Sequence, residues 1–249
     1  EFSANFDEDM QSGVEILANF NGVITPTVSL AGGSLGGILN FRSQVLTPAV
    51  DNLDALAFST ATEVNTIQTT GIDATGTRGT NLFDPNVETL GAAGFTLLIN
   101  NPARIAAAGL ARVTADPDNT GSAKLDYSDI VAGSAIPDFT LTYTDAAGYT
   151  INGGAVVPDA SGSFDFGGVT YTVTGAPEDG DSFIVGQNLN SLGNNKSILA
   201  MSRLQTKEVL DGDRSLGDGY LDLVGEIGNA STLAKISQDA LQVVYDQAV

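Results

Sequence analysis

Apolar residues recur every three or four positions over residues 34–68, and this spacing predicts a long amphipathic helix. Ser34 is a suitable N-cap residue for this helix. Pro48 interrupts the run because proline cannot donate a backbone hydrogen bond to the carbonyl of Gln44. Either the helix kinks at Pro48, or a second helix begins there with Thr47 as its N-cap. The apolar stripe consists of Leu35, Leu39, Leu46, Val50, Leu53, Ala57, Ala61, Val64 and Ile67.

Helical spacing returns at residue 196 and continues to the end of the sequence. From residue 216 onward the small and apolar residues alternate steps of four and three, which is the spacing of a heptad repeat. These heptad positions are Leu216, Tyr220, Leu223, Ile227, Ala230, Ala234, Ser237, Leu241, Val244 and Ala248. The pattern predicts a second long helix that packs against another helix along this line.

The intervening residues 87–185 are richer in Gly, Thr, Asp and Pro, and alternate apolar and polar positions as strands do. Strands are predicted at 95–99, 139–144 and 169–173, and Gly167-Gly168 suits a two-residue hairpin turn. A strand or hairpin arm is also predicted at 22–30. The segment 103–112 suits either a short helix or an extended edge strand, and both interpretations stay open.

These patterns predict an α+β fold in which long antiparallel helices form an elongated, rod-like domain that carries an inserted antiparallel β-rich domain. The expected boundaries are 1–86 for the first helical part, 87–185 for the insert and 186–249 for the second helical part. The first part contains the strand at 22–30, the helix at 34–68 and a turn at 71–86. The apolar stripes need each other, or a third helix outside this sequence, to become buried.

Composition restricts the possible functions more than it suggests one. Thirty acidic residues against ten basic ones give a net charge of −20, which repels nucleic acid and anionic membranes. The sequence has no Cys, His or Trp, so disulfides, zinc–thiolate sites and histidine bases are excluded. No apolar run is long enough to predict a membrane span. We expect no catalytic, cofactor-binding or metal-binding residues and no cofactor.

Two motifs that suggest chemistry fail on inspection. Gly32-Gly33-Ser34-Leu35-Gly36 matches the nucleophile elbow, but a Ser–His–Asp triad needs a histidine, so a glycine-rich turn is favoured. Residues 116–127 resemble a calcium loop, with Asp116, Asp118, Thr120 and Gly121 at suitable positions. Tyr127 stands where a bidentate Glu should close the site. Asp126 is a possible substitute, and a β-turn with solvated carboxylates is favoured.

One further acidic stretch is interpreted as a loop. Residues 211–219 predict a connection between helices, with Ser215 or Asp218 capping the next one. Pairs of carboxylates suited to glycoside hydrolysis carry no weight in a chain with 30 acids.

Residues 71–86 predict a tight turn. Gly71 is expected to end the helix as a left-handed C′ glycine, and Asp73, Gly76 and Gly79 to fold the chain back. Leu82 and Phe83 are expected to hold the turn against the helix pair, with Arg78 pairing to a surface carboxylate.

Residues 31–83 resemble the flagellar hook-associated protein 1 family, the hook–filament junction proteins of bacterial flagella. The matching residues are Gly32, Gly33, Leu35, Gly36, Ile38, Leu39, Phe41, Arg42, Leu46, Pro48, Asn65, Gly71, Asp73, Gly76, Gly79 and Phe83. Gln68 stands where the family pattern has a histidine, so no role of that histidine is transferred.

Residues 175–210 are similar to a second signature of this family, where the β insert returns to the helical domain. The matching residues are Pro177, Gly180, Asp181, Phe183, Asn194, Asn195, Leu199, Ala200, Leu204 and Gln205. Residues 215–228 look like the helix that follows.

The resemblance implies a structural role without catalysis, that of an axial adaptor at the hook–filament junction. It implies export through the flagellar channel to the cell exterior. The expected partners are further copies of the protein itself, hook protein and other hook-associated or filament proteins. It also implies that this sequence is a fragment without the terminal helices, and we expect such a fragment to be monomeric. The alternatives are another axial protein of flagellin or hook type, and a calcium-stabilised adhesin-like module built on residues 87–185.

Overall fold

The computed structural model describes residues 2–6, 14–20, 23–26, 33–131, 133–188 and 194–248. They form an α+β fold, as predicted, in which every strand pairing is antiparallel. The chain divides into two compact units, one made of residues 1–56 and 217–249 and the other of residues 57–216. Of the strand predicted at 22–30, Val23–Pro26 is a strand, and residues 22 and 27–30 lie outside the described residues.

The unit of residues 1–56 and 217–249 contains a three-stranded sheet and the first and last helices. Strands β1 (Phe2–Phe6), β2 (Val14–Phe20) and β3 (Val23–Pro26) pair in that order. Helix α1 spans Gly33–Phe41, and helix α2 begins at Thr47 and ends at Thr69, inside the other unit. The predicted helix at 34–68 is therefore confirmed, although Ser34 lies inside α1 and does not precede it.

A π-helical segment, Arg42–Leu46, joins α1 to α2, so the chain stays helical up to Pro48, which has no N–H to donate. Thr47 has helical angles (φ −61°, ψ −51°), and its N–H donates to the carbonyl of Arg42, five residues back. An N-cap residue has non-helical angles, so the alternative with Thr47 as N-cap is wrong. The wider π turn keeps the chain helical up to the residue that lacks an N–H donor.

Helix α5 spans Leu216–Ala248 and confirms the second long helix. The helix predicted to start at residue 196 is interrupted, however. Helix α4 covers only Lys196–Arg203, and the hairpin of β14 (Glu208–Leu210) and β15 (Arg214–Ser215) follows it. Residues 211–219, predicted as a loop between helices, are thus partly a hairpin turn, in which Asp211 and Gly212 have positive φ. Ser215, not Asp218, directly precedes α5.

The unit of residues 57–216 is built around two packed sheets. The five-stranded sheet has the order β10-β9-β8-β13-β6, and the three-stranded sheet has the order β11-β12-β7. Their strands are β6 (Ala111–Ala115), β7 (Lys124–Ile130), β8 (Phe139–Thr144), β9 (Gly148–Ile151), β10 (Gly154–Val156), β11 (Ser163–Phe166), β12 (Val169–Thr174) and β13 (Ser182–Gln187). A small pair, β4 (Gly71–Ile72) with β5 (Ala108–Gly109), lies beside them.

The main hydrophobic core lies between these two sheets. Phe139 of the five-stranded sheet meets Tyr171 of the three-stranded sheet edge to face, with ring centroids 5.2 Å apart. Tyr171, Leu141 and Phe183 are almost completely buried. Alternation predicts this arrangement, because each strand turns one side toward the core and the other toward solvent.

The strands predicted at 139–144 and 169–173 are confirmed, as is the Gly167-Gly168 turn, since Phe166 pairs with Val169. The strand predicted at 95–99 is wrong. Helix α3 (Val87–Leu90) and a 3₁₀ turn (Gly91–Gly94) precede it, and only the isolated bridge of Leu97 with Phe83 forms there. The undecided segment 103–112 starts in a 3₁₀ turn, Pro102–Arg104, and then enters β5 and β6.

Candidate functional site

The turn after α2 is organised by the buried carboxylate of Asp73. Its Oδ1 accepts from the Thr75 and Thr77 amides at 2.9 and 3.0 Å and from the Thr75 hydroxyl at 2.6 Å. Its Oδ2 lies 3.2 Å from Nε of Arg104. Burial raises the pKa of Asp73, but these hydrogen bonds and the Arg104 charge outweigh burial and hold that pKa below its usual value. The Asp73 carboxylate therefore stabilises the turn in which it lies.

Two amide side chains of α2 join this helix to the chain that follows. Gln68 is fully buried, and its Nε2 donates to the Arg104 carbonyl at 2.7 Å while its Oε1 accepts from Ala106 N–H at 2.9 Å. Asn65 Oδ1 accepts from the amides of Leu82 and Phe83. Side-chain amides of α2 thus hold the backbone of the chain that follows it. The expectation that Leu82 and Phe83 hold the turn against a pair of helices stays a prediction.

The predicted role of Arg78 is wrong. Its Nε donates to the Thr69 carbonyl at 2.7 Å and its Nη1 to the Ser134 carbonyl at 2.8 Å. Thr69 is the last residue of α2, where carbonyls lack helical partners and the helix dipole attracts a cation. Arg78 therefore caps α2 and ties it to the loop before β8.

The glycines of this turn have different roles. Gly76 has φ +78°, as a turn glycine requires, but Gly71 is not left-handed and the prediction of a C′ glycine there is wrong. Gly71 opens β4, where an added Cβ would lie 2.5 Å from Ser197 Oγ. At Gly79 an added Cβ would lie 2.0 Å from the Gln68 carbonyl oxygen.

The stretch that resembles a calcium loop contains a turn, as favoured above, and Asp181, a residue outside the stretch, closes it. Oδ1 of Asp181 accepts from the amides of Thr120 and Gly121, and its Oδ2 accepts from the amide of Glu178. The Glu178 bond, with help from the other two, lowers the pKa of Asp181 although burial raises it. Asp116 caps the same turn by accepting from the Asp118 amide.

The other acidic candidates also lie in ordinary local structure. Asp211 pairs with Arg214 across the β14–β15 turn. Ser34 of the elbow-like motif lies in α1, and Gly32 lies outside the described residues. Among the residues that the structure describes, no cluster of three or more His, Cys, Asp or Glu side chains could hold a metal ion. No described helix is long and apolar enough to cross a membrane.

The strongest candidate for function is the exposed apolar surface of the long helices. At the predicted heptad positions of α5, Leu223 is buried, whereas Tyr220, Leu241 and Val244 are 61%, 70% and 62% exposed. Helices α1 and α2 and their π segment also expose large apolar side chains, at Ile38, Phe41, Leu46, Val50 and Leu53. Apolar surface of this extent marks an interaction site. We call the exposed heptad residues Tyr220, Ile227, Leu241 and Val244 the α5 apolar face.

Comparisons with known proteins agree with one another. Residues 2–83 match the family model described as the flagellar hook-associated protein FlgK helical domain. Flagellar hook-associated protein 1 of Salmonella typhimurium is 26% identical over 89% of this chain and 42% of its own length. The Escherichia coli protein of that name is 28% identical over 85% of this chain and 40% of its own length. The chain thus spans about two fifths of the length of these relatives.

A solved structure shares the fold. The flagellar hook junction protein FlgK from Burkholderia pseudomallei superposes with a TM-score of 0.74, covering 94% of this chain and 66% of that chain at 22% identity. The family model matches only the first part of the sequence, whereas the similarity to the curated relatives and the shared fold extend over most of the chain. The chain is thus similar to flagellar hook-associated protein 1 over most of its length, and it shares the fold of a flagellar hook junction protein.

Proposed function

We propose that this chain is part of a structural, non-catalytic protein of the bacterial flagellum, an axial adaptor at the hook–filament junction. The observation that carries the proposal is the alignment of relatives named flagellar hook-associated protein 1 over 85–89% of the chain. Both signatures recognised in the sequence, at 31–83 and 175–210, fall within this length. The proposal includes the division into helical parts 1–86 and 186–249 and an insert at 87–185.

The exposed helix surfaces support a role in assembly. Apolar residues on α1, α2 and α5 remain open to solvent, as expected of helices that become buried only against other chain segments or subunits. A net charge of −20 opposes self-association of the free chain. We therefore expect the isolated chain to be monomeric, and the full-length protein to assemble with itself, with hook protein and with other hook-associated or filament proteins.

The proposed location is the cell exterior, reached through the flagellar export channel. The sequence contains no cysteine, so no disulfide can form that would hinder the passage of an unfolded chain.

Gene deletion in the source bacterium tests the function. We expect hooks to persist on the cells while filament protein appears in the medium as free monomer, and the full-length gene to restore attached filaments. Normal filaments on the deletion strain would refute the junction role, and loss of hooks as well would indicate a hook-type protein. Light scattering on the purified 249-residue chain is the second test, because ordered rings of this chain would contradict the expected monomer.

A further inference from the structure

One five-residue turn occurs twice in the unit of residues 57–216. Residues 73–77 read Asp-Ala-Thr-Gly-Thr and residues 159–163 read Asp-Ala-Ser-Gly-Ser. In both turns the first amide donates to the fifth carbonyl at 2.8 Å, and the glycine amide donates to the Asp carbonyl at 3.0 Å. The glycines have φ +78° and +81°.

The side chains of the two turns also match. Oδ1 of Asp159 accepts from the Ser161 and Ser163 amides at 2.8 and 2.9 Å and from the Ser161 hydroxyl at 2.6 Å. These bonds agree within 0.1 Å with those of Asp73 to Thr75 and Thr77. In each turn Oδ1 of the aspartate accepts the hydrogen bonds that close the turn, and Oδ2 is available to interact with another group.

The first copy shows what that partner can be. Ala74 N–H donates to the carbonyl of Ala103 at 3.0 Å, and Asp73 Oδ2 forms an ion pair with Arg104, 3.2 Å from its Nε, without the geometry of a hydrogen bond. The turn therefore holds a dipeptide at two points: the carbonyl of the residue before the arginine and the guanidinium itself. Arg104 and Ala103 belong to a short 3₁₀ turn that Asn101 caps.

The second copy presents the same two groups to solvent. It connects β10 to β11, and both Asp159 and Ala160 are exposed. Within the described part of the chain, Asp159 Oδ2 and Ala160 N–H have no partner. Val157, just before the turn, is 88% exposed and offers apolar surface for the aliphatic stem of an arginine. The hydrogen bond from the Ser161 hydroxyl, with those from two amides, keeps the pKa of Asp159 low, so the carboxylate stays charged at neutral pH.

We propose that the turn at residues 159–163 is a docking site for an arginine-bearing peptide segment of another protein chain, bound as Ala103-Arg104 is bound within this one. Ala160 N–H would donate to the carbonyl before the arginine, and Asp159 Oδ2 would pair with the guanidinium. The N–H of Ala160 beside the carboxylate disfavours a bare metal ion, because a metal ion cannot accept a hydrogen bond. A ligand that carries both an acceptor and a planar cation fits, and a peptide arginine is such a ligand. The inference is independent of the flagellar role.

The probe is the peptide acetyl-Asn-Pro-Ala-Arg-Ile-amide, which has the sequence of residues 101–105. Titration into the ¹⁵N-labelled 249-residue chain at low salt should give saturable amide shifts at Ala160, Ser161 and Ser163. An exposed ion pair is weak, so we expect a dissociation constant on the order of 1 mM. The same peptide with Gln in place of Arg should give no saturable shift. The same peptide with Lys in place of Arg keeps the charge but lacks the planar guanidinium and should bind more weakly, because attraction to the acidic chain alone would not distinguish the two.

Variants of the protein complete the test. Asp159→Asn keeps an oxygen that can close the turn but removes the charge, and should weaken binding about two- to fivefold. Asp165→Asn, an exposed residue of β11 with the same charge change, should leave binding unchanged. Equal binding of the arginine and lysine peptides, equal effects of the two variants, or no saturable shift at 159–163 would each overturn the proposal.

Discussion

Replacement of Gln68 by methionine tests how the end of α2 is joined to residues 104–106 in the unit of residues 57–216. Methionine has a similar volume but no amide, so Gln68→Met removes two hydrogen bonds without opening a large cavity. Ala106 is completely buried, and its N–H loses its acceptor when the Gln68 oxygen is removed. The Arg104 carbonyl, which is half-buried, loses a donor.

The magnitude follows from these two losses. An orphaned buried amide costs about 1–3 kcal/mol, and loss of a second hydrogen bond costs about 0.5–1.5 kcal/mol. We therefore expect Gln68→Met to lower the free energy of unfolding of the 57–216 unit by about 2–4 kcal/mol. Gln238→Met, at an exposed position of α5, is the control and should change stability by less than about 0.5 kcal/mol.

Urea denaturation followed by near-ultraviolet circular dichroism measures this change, because the buried tyrosines of the β core report on the 57–216 unit. The midpoint should fall for Gln68→Met while the slope stays constant. A midpoint equal to that of the Gln238→Met control would refute the conclusion that the Gln68 amide links α2 to residues 104–106.

Two further predictions concern the same turn. Gly79→Ala places a Cβ 2.0 Å from the Gln68 carbonyl oxygen and should destabilise the chain by about 1–3 kcal/mol in thermal or urea unfolding. Gly225→Ala, in an open helical position, is the control and should stabilise the chain by about 0.5–1 kcal/mol. Equal effects of the two substitutions would contradict the proposed crowding at Gly79. The pKa of Asp73 is lowered on folding, so its carboxylate stabilises the fold above the unfolded-state pKa of about 3.9, and this contribution is lost as pH falls through the folded value. The stability difference between the native chain and Asp73→Asn should therefore be constant from pH 7 to about pH 5 and shrink toward about pH 3.5, and a difference that grows on acidification would show that the sign is wrong.

The sequence predicts the elements whose patterns are local. The helical period over 34–68 and 216–248 and the alternation at 139–144 and 169–173 each follow from which face of the element is apolar. The same rule fails at 95–99, where Thr96 separates Phe95 from Leu97. In the described structure Leu97 forms one isolated bridge with Phe83, and the ring of Phe95 stacks on that of Phe83 with centroids 4.3 Å apart. Alternation alone does not supply a neighbouring strand.

The contacts of the turn could not be predicted, because their partners are distant in sequence. Gln68 bonds to residues 36 and 38 positions away, and Asp181 closes a turn 60 residues before it. The abundance of acids predicts a surface carboxylate as the partner of Arg78, yet the end of α2 supplies a carbonyl that only the fold brings near. The second copy of the Asp73 turn was visible in the sequence as Asp-Ala-Ser-Gly-Ser, and the structure shows that the two copies share one geometry.

The central claim is that the exposed helix surfaces exist for assembly and not for the stability of this chain. Leu241→Glu in the α5 apolar face and Gln242→Glu beside it add the same charge, and both positions are exposed. Because Leu241 is 70% exposed, we expect both variants of the isolated chain to melt within about 0.5 kcal/mol of the native chain. In the full-length protein, Leu241→Glu should release filament protein into the medium, whereas Gln242→Glu should retain attached filaments. Normal filament attachment with Leu241→Glu would contradict the claim.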